Sequence, residues 1–102
     1  MYSRIARARF RPETAEEVIK VAKDSIGTFQ KLPGFQSVIY HYDRVSGWGF
    51  SISLWETKEQ ADAAMEGLRS VTEAFAPLRV SQQPTGDPLE GALPTFEVIA
   101  QG

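Results

Sequence analysis

Apolar and polar positions alternate from Ser3 to Phe10, with Ile5 on the face that carries Arg7 and Arg9 and Phe10 on the other, which is the two-residue period of a strand. The period lengthens after Pro12. Ala15, Val18, Ile19, Ala22, Ile26 and Phe29 fall on one helical stripe, with Thr14 and Glu17 in the T-x-x-E capping-box relation at its start. A helix is predicted from about Ala15 to Lys31, ended by Pro33-Gly34. Phe35 to Asp43 is rich in aromatic and β-branched residues, and Trp48 to Glu56 alternates large apolar with small polar side chains. Both are predicted as strands, paired about the turn Arg44-Val45-Ser46-Gly47. The sequence leaves the register of this hairpin open, and a slip of one residue would turn His41 to the opposite face. Thr57 and Gln60 repeat the capping spacing, and Ala61, Ala64, Met65, Leu68, Val71 and Phe75 form a second helical stripe that ends before Pro77. Leu78 to Gln82 and Thr95 to Ala100 read as short strands. Between them lies a loop or crossing arm holding Pro84, Gly86, Asp87, Pro88, Gly91 and Pro94.

This order is βαββαβ with an extra C-terminal strand, an α+β ferredoxin-like layout expected to form one domain over residues 1–102. Two helices cover only one face of such a sheet. The other face is not polar here, because Trp48, Phe50, Ile52 and Leu54 share one face of their strand while Trp55 lies on the other. Burying side chains of this size is worth roughly 1.5 to 3 kcal/mol each, so a whole row left in water argues for a partner. A homodimer packed sheet to sheet, a dimeric α+β barrel, is expected, with the final strand reaching toward the neighbouring subunit.

Composition narrows the chemistry. The 102 residues are 42% hydrophobic and 24% charged, ordinary values for a globular chain. There is no cysteine and only one histidine, His41, which removes thiolate chemistry and makes a metal site an unfavoured expectation. Net charge is −2, so the arginines of the first strand are expected to be solvated or at an interface, and no nucleic-acid partner is expected. No apolar run is long enough to cross a bilayer, and a cytoplasmic location without membrane attachment is the default expectation. No G-x-S-x-G, phosphate-binding loop or dinucleotide fingerprint is present.

From Leu32 to Ala64 the chain carries L-P-G-F after the first helix, an aromatic strand, and S-I-S-L-W-E-T-K-E-Q-A-D-A-A leading from the third strand into the second helix. This pattern resembles the antibiotic-biosynthesis-monooxygenase-like group of dimeric α+β barrel proteins. That group includes cofactor-free oxygenases of quinol-like substrates, haem-degrading enzymes, isomerases of small signalling molecules and members without known activity. The resemblance implies a cofactor-independent monooxygenase-like enzyme acting on a small aromatic or quinol-like molecule. The alternative is a non-catalytic ligand-binding or dimerisation module of the same fold. In the haem-degrading branch the strand-end tryptophan works with an asparagine on the first strand and a histidine on the second helix. This chain has no asparagine and no histidine in that helix, so haem degradation is not expected and no cofactor is assigned.

Trp55 matches the tryptophan that several members use in a ligand cavity, and it follows Ser51 and Ser53 on one strand face. Two small side chains beside a large ring leave volume for a planar ligand, although the ring also has the size to plug the space under the second helix. Tyr40 and Tyr42 offer phenol groups to such a ligand, or act simply as strand formers. His41 is the first candidate for a catalytic base near neutral pH. Its parity, however, sets it with Ser37 and Ile39 and away from the tyrosines unless a bulge intervenes.

Overall fold

The computed structural model describes residues 1–80, 91–92 and 95–102. Strand β1 (Tyr2–Arg9) is central, flanked on one side by β3 (Trp48–Trp55) and then β2 (Phe35–Tyr42), and on the other by the short β4 (Gly91–Ala92). A last strand, β5 (Phe96–Glu97), also pairs with β1, and every pairing is antiparallel. Helices α1 (Ala15–Gln30), α2 (Lys58–Gly67) and α3 (Arg69–Phe75) pack against one face, α1 toward β2 and α2 toward β1 and β3. This is an α+β ferredoxin-like arrangement, as the element order predicts. Among the described residues no helix is long and apolar enough to cross a membrane.

The hairpin register is set at its turn. Asp43 accepts hydrogen bonds from the Val45 amide at 3.0 Å and the Ser46 hydroxyl at 2.8 Å, and the Gly47 amide donates to the Asp43 carbonyl at 2.9 Å. Gly47 has φ +83°, and a Cβ there would stand 2.2 Å from the Phe10 carbonyl oxygen, so only glycine fits. The pairs Tyr42 with Gly49, Tyr40 with Ser51 and His41 with Phe50 follow, the one irregularity lying between Phe35 and Ser37 at the far end. The helix-facing side of the sheet therefore carries Tyr40, Tyr42, Gly49, Ser51, Ser53 and Trp55. The open side carries His41, Ile39, Phe50 and Ile52.

In detail, the local structure departs from the sequence-based expectation at some points and meets it at others. Thr14 does not cap α1, because it lies in a 3-10 turn and its hydroxyl donates instead to the Arg11 carbonyl at 2.7 Å. Thr57 does cap α2, accepting from the Gln60 amide at 3.2 Å. The second helical stripe breaks at Leu68 into α2 and α3, where Gly67 lies so close to Leu32 that a Cβ would meet its Cδ2 at 2.5 Å while Leu68 turns into the core. Finally, the C-terminal strand finds a place on its own sheet. It pairs with its own chain, Tyr2 opposite Glu97 and Ser3 opposite Phe96, and the Val98 amide donates to Met1 at 3.0 Å. Of the predicted strand from Leu78 to Gln82, Arg79 forms a single bridge to Phe10, and the last two residues, like most of the crossing arm, lie outside the described residues.

Candidate functional site

Between the sheet and the three helices lies a cavity of about 660 Å³. Its floor is made of small residues from neighbouring strands, Ala6 and Ala8 of β1 with Gly49, Ser51 and Ser53 of β3. Ala6 stays exposed although it sits on the helix-facing side of the central strand. The opposite wall is apolar, built from Ile19, Ala22 and Ile26 of α1, Met65 of α2, and Val71 and Phe75 of α3. Size and lining are those of a small-molecule site.

Polar groups are few and individually placed. The Ser25 hydroxyl donates to the Ala22 carbonyl at 2.7 Å and meets the Tyr40 hydroxyl at 2.8 Å. Serine has one hydroxyl proton, so Tyr40 must be the donor in that pair, and its own oxygen is left to accept a bond from a ligand. Burial pushes the Tyr40 phenol up, outweighing the opposite effect of Ser25, so it stays protonated near neutrality. The Tyr42 hydroxyl is buried without a hydrogen-bond partner among the described residues. Arg4 extends from β1 toward α2, where its Nη1 donates to the Ala61 carbonyl at 3.0 Å. Burial lowers the proton affinity of this guanidinium and nearby Asp62 raises it, burial having the larger effect.

The residues singled out in the sequence separate into three groups. Tyr40, Tyr42, Ser51 and Ser53 line the cavity together. Trp55 is fully buried beside it and is not among the lining residues. Its ring packs with Phe29, Ala61, Ala64 and Leu68, and its indole N–H donates to Ser53 Oγ at 2.9 Å. His41 also borders the cavity, but its ring stacks on Phe50 with centroids 4.2 Å apart, on the open side of the sheet and away from the tyrosine rings. Arg4, Ala6, Ala8 and Gly49 also line the cavity, with no local sequence signal that marks them. The alternation of β1 sets Arg4, Ala6 and Ala8 opposite to Arg7 and Arg9, but only the pairing of β1 with β3 places them at the cavity.

These features define an α+β ferredoxin-like chain with a cavity of about 660 Å³ between sheet and helices. Solved structures of the same fold include an antibiotic biosynthesis monooxygenase, which matches with a TM-score of 0.66 and 17% identity over 79% of this chain and 88% of the other. A candidate antibiotic biosynthesis monooxygenase from Chloroflexus aurantiacus J-10-fl matches with a TM-score of 0.62 and 21% identity over 99% and 96% of the two chains. An arginine-to-serine mutant of MhuD, with two manganese protoporphyrin IX molecules bound per active site, matches with a TM-score of 0.65 and 19% identity over 100% and 98%. No family model and no curated protein matches the sequence.

Proposed function

We propose that this protein is a homodimer that binds a small, flat, quinol-like aromatic molecule in the cavity and oxygenates it without a cofactor. The observation that carries the reading is the cavity itself, a small-residue floor under apolar walls with hydroxyls at a few fixed points. A hydroquinone needs no external reductant for such chemistry. Its ring C–H bond and its O–H groups supply all the electrons that dioxygen takes up, so one oxygen atom enters the ring and the other leaves as water, giving a hydroxyquinone. The chain's part is to hold the ring against the floor, accept a quinol hydroxyl on the Tyr40 oxygen, offer the Ser51 hydroxyl and exclude bulk water.

A non-catalytic binding module of the same fold is the second reading, favoured by the position of His41. The chain's only imidazole is stacked on Phe50 and turned away from the tyrosine rings, and the Tyr40 phenol is held protonated by burial. The discriminating experiment titrates a hydroquinone panel by calorimetry while an electrode follows oxygen. Binding with stoichiometric oxygen uptake that falls in a cavity-filling Ser51→Phe variant is the expected result. Binding without uptake above buffer autoxidation leaves the module, and absence of binding removes both readings.

A further inference from the structure

The chain as a whole is slightly acidic, with 13 carboxylate residues against 11 basic ones. The cavity reverses this balance. Arg4, Arg7, Lys23 and Arg79 are among the described residues that line it, and no aspartate or glutamate is. Arg7 directs its guanidinium over the Trp48 ring at 4.2 Å, on the other side of the sheet, but Arg4 points to the helix side. The alternation of β1 puts Arg4 there, beside Ser53, and the bond from its Nη1 to the Ala61 carbonyl fixes the arm of the side chain. Its Nη2 and Nε make no hydrogen bond among the described residues. Asp62, the carboxylate whose charge acts on Arg4 among the described residues, is exposed and already bonded to Lys58 at 2.8 Å and to Thr95.

We infer that the cavity selects an anionic aromatic ligand, a fused-ring molecule bearing a carboxylate or an equally acidic oxygen, with Arg4 holding the charged group and the small-residue floor holding the rings. This deepens the proposed function, and rests on it, by naming the substrate class. A half-buried guanidinium anchored at one nitrogen gains most from a planar anion that takes its remaining donors in pairs. The rings have room to lie along the floor, because the row holding Arg4 and the row holding Tyr42 are separated by four strand positions, about 13 Å.

The test compares anthraquinone-2-carboxylate with its carboxamide, two probes of the same shape that differ in charge. Calorimetry on the wild type is expected to show the acid binding about tenfold or more tightly than the amide. Arg4→Gln is expected to bring the two within about twofold by weakening only the acid, and Arg4→Lys to keep part of the preference. Should Arg4→Gln fail to fold, the Arg4 Nε–H resonance of the wild type answers instead, and it should shift with the acid and not with the amide. Equal affinities in the wild type, a preference that survives Arg4→Gln, or an unmoved Arg4 resonance overturns this inference. In those cases both probes still bind and the aromatic-cavity reading stands. Failure of both probes to bind overturns the two together.

Discussion

Tyr40 and Tyr42 stand on the same face of β2, yet their hydroxyls have opposite circumstances. The first is bonded to Ser25 at 2.8 Å and the second is buried without a partner among the described residues. Removing an unsatisfied buried hydroxyl recovers its desolvation cost, whereas removing a bonded one loses the bond. Tyr42→Phe is therefore expected to leave stability unchanged or raise it by up to about 1 kcal/mol, and Tyr40→Phe to lower it by about 1 kcal/mol. Urea melts of the two variants decide this, and the reverse order would contradict the hydrogen-bond assignment. The same reasoning separates the two serines of β3. Ser53→Ala would strand the Trp55 indole N–H inside the core, at a cost of about 1 to 3 kcal/mol. Ser51 makes no side-chain bond among the described residues, so Ser51→Ala is expected to change ligand affinity and leave the melt in place.

Among the elements, two glycines show how far local geometry decides a substitution. At Gly47 the hairpin needs φ +83°, and the Phe10 carbonyl occupies the space of a Cβ. Gly47→Ala is therefore expected to cost more than about 2 kcal/mol, the usual left-handed penalty plus the clash. Gly27 lies inside α1 with nothing near its missing Cβ, and Gly27→Ala is expected to gain about 0.5 to 1 kcal/mol from helix propensity alone. Thermal melts of this pair should move in opposite directions. The periodicities of the sequence were enough to find β1, α1, β2, β3 and the cap of α2, because each has its own apolar face and local stop signal. They missed what depends on contact at a distance. Thr14 has the spacing of a cap but turns back to Arg11, and the α2–α3 break falls where Leu32 takes the space a Cβ at Gly67 would need. At the site, the row of small residues on β3 was readable from one strand. The share of Arg4, Ala6 and Ala8 needed the register between strands, and the burial of Trp55 needed its partner Ser53 and the helix above it.

At the scale of the whole molecule, the open side of the sheet is the surface most in need of an explanation. The register lines up Ile39, Ile52 and Ile5 across three neighbouring strands, next to the row of His41, Phe50 and Arg7. Ile39 is 59% exposed and Phe50 41% exposed in the single chain, while Ile52 is half-buried. A second copy laid on this face would cover the isoleucine row, as obligate interfaces resemble a core cut in half. The two isoleucines then make different tests. Ile52→Asp is expected to give an insoluble or unfolded protein, because an aspartate there would be buried by the chain as well as by its partner. Ile39→Asp places the charge where the single chain leaves it in water, so the fold itself should hardly notice. In the dimer the same carboxylate would be buried unpaired at a cost of several kcal/mol, enough to separate the subunits. Light scattering and sedimentation should thus find a dimeric wild type and a folded, monomeric Ile39→Asp variant with a native circular dichroism spectrum. Since the cavity opens on the opposite side of the sheet, that monomer should still bind the anthraquinone acid. A monomeric wild type, or an Ile39→Asp protein that stays dimeric, would rule this face out as the interface.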